Sequence, residues 1–187
     1  MKTALLLALI VALSVCAGDR GELQVSAGAG AWMPSLFNEG SELTPGPAFS
    51  VSLQIPPSLG NCFLISTGYL SAGCDRETWD GISGIPLTIG WRLYPFYRHF
   101  AGPRGIEPLI GAYGGGALLW DSPSGGQEGT TTGAGIIGAE VGARISFGGS
   151  TAVDLTVNPE WVPAGSSISG EGDRDLSGLK VMASVVF

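Results

Sequence analysis

Between residues 179 and 187 every second side chain is apolar: Leu179, Val181, Ala183, Val185 and Phe187. The intervening set, Lys180, Met182, Ser184 and Val186, is mixed and carries the one charge of the stretch. A strand sends alternate side chains to opposite faces, so this period predicts a strand with one wholly apolar face. The same period recurs upstream. In residues 22–33 the set Leu23, Val25, Ala27, Ala29, Ala31 and Met33 opposes Glu22, Gln24 and Ser26. In residues 48–55 Phe49, Val51, Leu53 and Ile55 alternate with Ala48, Ser50, Ser52 and Gln54. Residues 62–72 place Phe63, Ile65, Thr67 and Tyr69 opposite Ser66 and Gly68.

Four more segments follow before the last one. In residues 82–97 Ile85, Leu87, Ile89, Trp91 and Leu93 alternate with Thr88, Gly90, Arg92 and Tyr94, and Pro86 and Pro95 mark places where the ladder is interrupted or ends. Residues 106–120 alternate least. Gly111 and Gly114, Gly115 and Gly116 there predict a bulge or a sharply curved strand. In residues 132–147 Ile137, Ala139, Val141, Ala143, Ile145 and Phe147 oppose Gly138, Glu140, Gly142, Arg144 and Ser146. In residues 151–161 Val153, Leu155, Val157 and Trp161 oppose Asp154, Thr156, Asn158 and Glu160. Turn residues separate the segments, including Pro56-Pro57-Ser58-Leu59-Gly60 and Gly148-Gly149-Ser150. The connections after the first, third, fifth and seventh segments read as long, and those after the second, fourth and sixth as short. Such alternation is expected of a barrel with long outer loops and short periplasmic turns, and an even strand count puts both termini on one side.

Composition decides which way the apolar faces look. Hydrophobic residues make up 44% of the chain, charged residues 13%, and the mean hydropathy is +0.31. An average soluble domain is about 25% charged. The sequence has no apolar run of the roughly 18 residues a spanning helix needs. Its 31 glycines are poor helix material. The remaining way to cross a membrane is a closed barrel. At the N-terminus Lys2, the apolar run 4–15 and Val15-Cys16-Ala17 predict a secretory signal peptide over residues 1–17, with cleavage after Ala17. Lipidation at Cys16 is the rival, with Val15 standing where a small residue is expected. Residues 18–187 then form the barrel domain, addressed to the bacterial outer membrane.

The stretch Ile85-Pro86-Leu87-Thr88-Ile89-Gly90-Trp91-Arg92-Leu93-Tyr94-Pro95-Phe96 resembles the fourth strand of the bacterial outer-membrane β-barrel domain family. Glu107-Pro108-Leu109-Ile110-Gly111-Ala112-Tyr113-Gly114-Gly115-Gly116 resembles its fifth. The resemblance implies an all-β fold, an eight-stranded antiparallel up-and-down transmembrane barrel of the small OmpA/OmpX/OmpW kind. It also implies that Phe187, with Val181 and Val185, is the carboxy-terminal signal read by barrel-assembly machinery. Outer-membrane lipid is the other expected partner, and the chain is expected to be a monomer.

Apolar faces turned to lipid leave the other faces to line a lumen. That set contains Arg92, Glu107, Glu140, Arg144, Asp154, Glu160 and Lys180. Eight strands leave room for little more than side chains, and charges in such a space must be paired or hydrated. Arg144 has candidate partners in Glu160 and Asp154, and Lys180 reaches the same strand from the other side. The expectation is an electrostatic plug; the rival is a gated polar pore. Trp91, Tyr97, Trp120 and Trp161 are expected in aromatic belts at the membrane interfaces. The outer loops hold Glu39, Glu42, Asp75, Glu77, Asp80, Asp121, Glu128, Glu171, Asp173 and Asp175 against Arg76 and Arg174, whereas the periplasmic turns hold Arg98, His99 and Arg104. Residues 171–175 lack the rest of a calcium-loop pattern, so no metal site is expected.

Chemistry finds little support. The chain has one histidine, His99, in a predicted turn, so no Ser-His arrangement is expected at the outer rim. Ser-Lys or paired-carboxylate mechanisms stay open on the residues alone. No enzyme activity and no cofactor are expected, and the net charge of -7 tells against nucleic acid. Cys62 and Cys74 fall at opposite ends of one strand, about 30 Å apart, beyond the reach of a disulfide. The sequence reads best as a structural or surface-interaction barrel. A passive transport barrel for small apolar solutes and a soluble lipocalin-like binding barrel are the alternatives. The last requires the apolar faces to point inward.

Overall fold

The computed structural model describes residues 23–34, 36, 43–58, 60–74, 79–96, 105–123, 129–147, 151–164 and 174–187. The elements are β1 (Gln24–Met33), β2 (Leu43–Thr44), β3 (Gly46–Ser58), β4 (Asn61–Cys74), β5 (Trp79–Leu93), β6 (Gly105–Pro123), β7 (Thr131–Ser146), β8 (Ala152–Trp161), β9 (Pro163–Ala164), β10 (Arg174–Asp175) and β11 (Gly178–Val186). The eight long strands pair antiparallel with their neighbours in chain order, from β1 through β3 to β8 and on to β11. β11 then closes on β1, with Ala27 opposite Val185 and Ala31 opposite Val181. The Phe187 amide extends that seam by donating to the Val25 carbonyl at 2.9 Å. This is the closed up-and-down barrel that the alternation predicts. Closure gives each of the eight long strands a partner on both sides.

The period of two sorts the side chains. On β5 Leu87 is 61% exposed, whereas Arg92 on the opposite face is 5% exposed. Outward positions around the wall carry large apolar side chains, among them Ile89, Ile110, Ile137, Val157 and Val181. The apolar faces therefore point out and the charged ones in, the reverse of what a soluble binding barrel needs. Cys62 and Cys74 hold free thiols at opposite ends of β4.

Several local expectations change. β3 continues through Pro56 and Pro57, and the register slips between Ile55 and Ser58, so a bulge stands where a turn is expected. The glycines of β6 cause no bulge, because its ladders to β5 and β7 run in unbroken register from Gly111 through Gly116. The long-short alternation of connections is weaker than expected. β4 and β5 extend far enough to leave only residues 75–78 between them, while residues 94–104 separate β5 from β6. Segments read as loop contain β2, which pairs with the end of β4, and the β9–β10 pair. The predicted leader 1–17, Cys16, Tyr97, Arg98, His99, Arg104, most of the outer-loop carboxylates and the 148–150 turn lie outside the described residues.

Candidate functional site in the barrel lumen

The even-numbered residues of β1, β3, β4, β5, β7, β8 and β11 and the odd-numbered residues of β6 face the lumen, as the register requires. They form successive layers along the axis. At the end where β1 begins and the chain finishes at Phe187 (the terminus end), Asp154 is 1% exposed and binds two guanidiniums. Arg144 donates to its Oδ1 from Nε at 2.7 Å and to its Oδ2 from Nη2 at 2.8 Å. Arg92 Nη1 donates to Oδ2 at 2.6 Å. Arg92 also grips Glu140 with two bonds, Nε to Oε1 at 2.6 Å and Nη2 to Oε2 at 2.7 Å. Paired forks of this kind are the strongest carboxylate contacts a side chain makes. Arg144 further donates to Gln54 Oε1 at 2.8 Å and to Gln24 Oε1 at 3.3 Å, and stacks 4.9 Å from the Tyr94 ring centroid. Glu107 is buried opposite Arg144 in the β6–β7 ladder.

A second cluster lies farther along. Glu160 Oε1 accepts from the Tyr113 hydroxyl at 2.6 Å and from Lys180 Nζ, whose ammonium sits 5.3 Å from the Tyr113 ring centroid. Both clusters use the same device. Arg92, Gly111 and Glu140 share one row across β5, β6 and β7, and Tyr113, Gly138 and Glu160 share one across β6, β7 and β8. In each row the middle residue is glycine, so the flanking side chains meet over it. A Cβ at 138 would overlap the Tyr113 ring, and one at 111 would press on Glu140 Oε1.

Between the clusters is a cavity of about 80 Å³, lined by the hydroxyls of Ser26, Ser52, Ser66, Thr88, Thr156 and Ser184. Arg92, Glu140 and Lys180 also border it. Asn158, 3% exposed, lines it as well; its Nδ2 donates to Thr156 Oγ1 and to the Lys180 carbonyl, while its Oδ1 meets no protein donor. Beyond the second cluster the lumen turns apolar, with Trp32, Leu70, Ile82, Leu119, Ile136 and Leu176 packed together.

The seven charges predicted for the lumen all face inward. Arg92, Glu140, Arg144 and Asp154 join in one network, and Lys180 and Glu160 in another. Arg144 takes Asp154 rather than Glu160. The sequence reading omitted Gln24, Gln54, Tyr94, Tyr113 and Asn158, although parity alone places each on an inward face. It also missed the apolar layer. Val181 and Val185 point outward, as does Trp161. Trp91 packs edge-on to Phe63 with centroids 6.4 Å apart, and Trp120 lies 6.3 Å from Tyr69. Among the described residues no group of three or more His, Cys, Asp or Glu could hold a metal ion. Every carboxylate of the two networks is bound to a cation, an arrangement suited to holding strands together rather than to moving protons.

No family model and no curated protein matches the chain in sequence. Solved structures do match. Neisserial surface protein A is similar at 15% identity and a TM-score of 0.54, over 88% of this chain and 94% of that one. The N-terminal β-barrel domain of Pseudomonas aeruginosa OprF is similar at 10% identity and a TM-score of 0.51, over 88% of this chain and 96% of that one. The fold is that of a small outer-membrane β-barrel. At these identities the likeness concerns architecture, and the particular chemistry of the lumen belongs to this chain's own residues.

Proposed function

We propose that this chain is an integral protein of the bacterial outer membrane, without enzyme activity. Its barrel is filled by paired charges, and its role is structural or one of surface interaction. The observation that carries the reading is the inversion of the wall, with Leu87 exposed on the outside and Asp154 buried on the inside. Water would punish that arrangement and hydrocarbon rewards it. The similarity of fold to a Neisserial surface protein supports a place at the cell surface. The terminus end then faces the periplasm, after removal of the predicted leader, and the far end carries the acidic loops. The outward Val181 and Val185 and the terminal Phe187 on the closing strand support a role as the signal for barrel-assembly machinery. Trp91 at one level and Trp120 and Trp161 at the other support the two aromatic belts. The hydroxyl-lined cavity tells against passage of small apolar solutes.

The test is made on the purified chain from residue 18. It should require detergent for a monodisperse state and should change its gel mobility on boiling. A chain monodisperse in plain buffer, with no change on boiling, would overturn the reading.

A further inference from the structure

On β4, β5, β6 and β7 the inward faces turn apolar toward the far end, whereas on β11 Lys180 lies nearer that end and the buried Val186 nearer the other. On β4, Leu70 lies farther from the chain termini than the cavity residue Ser66; on β5, Ile82 lies farther than Thr88. On β6, Leu119 lies beyond Tyr113, and on β7 Ile136 beyond Glu140. The hydroxyl-lined cavity lies between the two charged clusters, and the apolar layer stands beyond the second of them. On the terminus side stand Arg92, Glu140, Asp154 and Arg144, joined by bonds of 2.6–2.8 Å. On the far side stands the apolar layer, in which Leu119 and Ile82 are each 1% exposed and Ile136 is 2% exposed.

The cavity itself is polar and roomy. Asn158 Oδ1, which borders it, and Glu160 Oε2, next along β8, are buried acceptors without a protein donor. Buried acceptors in a polar space of this size are met by water, and about 80 Å³ holds several molecules. An apolar constriction blocks ions by refusing their hydration shells, and an ion-paired layer blocks them by occupying the space with bonded side chains.

We infer that the lumen is a water chamber sealed twice, by an apolar layer at the far end and by an ion-paired layer at the terminus end. Either seal alone stops solutes. The far seal is built mainly from packing, with the Lys180–Glu160 pair between it and the chamber and the buried Asp121 opposite Ile82 in the β5–β6 ladder. This deepens the proposed reading of a filled membrane barrel and rests on it for the conductance measurement.

The experiment places a reporter in the chamber. Ser66→Cys is made in a chain carrying Cys62→Ser and Cys74→Ser, and its reaction with a small charged thiosulfonate is timed in detergent. With both seals intact the thiol reacts slowly. Leu119→Ser with Ile136→Ser should speed the reaction at least about tenfold, as should Arg92→Ser with Glu140→Ser. In planar bilayers, steady conductance should come only from the chain carrying all four seal substitutions. A reporter that reacts quickly behind intact seals overturns the proposal. So does an unchanged rate on opening the far layer, or steady conductance after opening the ion-paired layer alone. The heat-dependent mobility change checks that each variant is folded; where the double serine variant fails it, Ile136→Thr takes its place. A chain soluble without detergent would end the membrane reading, while the labelling rates would still judge the two seals.

Discussion

Asp154 carries the largest share of the interior's electrostatics. It accepts from Arg92 and from both nitrogens of the Arg144 fork while nearly excluded from solvent. Asp154→Ala takes from Arg144 the carboxylate that binds two of its nitrogens, while Arg92 keeps Glu140. Removing one partner of a buried pair costs about 3–5 kcal/mol, and denaturant unfolding of the folded barrel should show a loss in that range. A loss below 1 kcal/mol would mean that water already does the solvating. Gly138 tests the second cluster. Gly138→Val drives a side chain into the Tyr113 ring, an overpacking that should cost about 1–3 kcal/mol. Adding Tyr113→Ser should recover most of that loss, because the obstacle and the displaced ring then vanish together. If the double variant is no more stable than Gly138→Val alone, the glycine serves some purpose other than clearing that ring. The charged half of this site was legible in the sequence, because parity on alternating strands assigns each charge to a face. The choice of partners was not. Which residues share a row depends on registers between strands distant in sequence, and the glycines at 111 and 138 become meaningful only once their rows are known.

The strands show where local chemistry limits a ladder. β4 and β5 pair from Asn61 to Thr67 and again from Leu70, with Gly68 and Tyr69 unpaired opposite Pro86. β7 and β8 skip Ala139 and Glu140 opposite Pro159. Proline has no amide hydrogen, and one missing donor removes both bridges that would use it. Pro159→Val should restore a ladder bond between β7 and β8 and place a suitable side chain on the outward face. The expected gain is about 1 kcal/mol, read as a higher denaturant midpoint together with slower hydrogen exchange at the amides flanking the gap. Unchanged exchange there would mean that the gap arises from strand curvature rather than from the absent donor. Pro86 was readable as an interruption from sequence. The apolar layer was readable too, in a signal taken for weak alternation. Tyr69-Leu70, Leu118-Leu119, Ile136-Ile137 and Trp161-Val162 are adjacent apolar pairs, each near the far end of its strand. One member of each pair faces outward and the other the lumen, so a break in the period of two marks a level where both sides of the wall are apolar. The bulge expected in β6 came from reading glycine as a backbone signal, when here it serves to leave space.

At the scale of the whole molecule the wall separates two environments, and one substitution on it distinguishes hydrocarbon from water. Leu87 sits in the middle of β5, points outward and is 61% exposed. Its ladder neighbour on β6 is Gly116, so no bulky group stands beside it there. Leu87→Arg changes no hydrogen bond and fills no cavity, and its whole effect comes from what surrounds the barrel. In a bilayer a guanidinium at that depth has to be solvated by thinning the membrane or drawing in water, at a cost of about 2–4 kcal/mol near the midplane. On a barrel surrounded by water the same change should stay within about 0.5 kcal/mol. Reversible unfolding in phospholipid vesicles, compared between the parent and Leu87→Arg, reads the difference directly. The fold alone predicts neither result, since an alternating barrel can be built with either face outward. The large value is expected because charge and apolar area are distributed here as a membrane demands: paired charges at the terminus end of the lumen, apolar side chains over the outside, and a second apolar layer closing the far end from within. A small value would show that the outward leucine meets water, and the outer-membrane reading would then fall even though the eight long strands fall on the eight segments the sequence predicts.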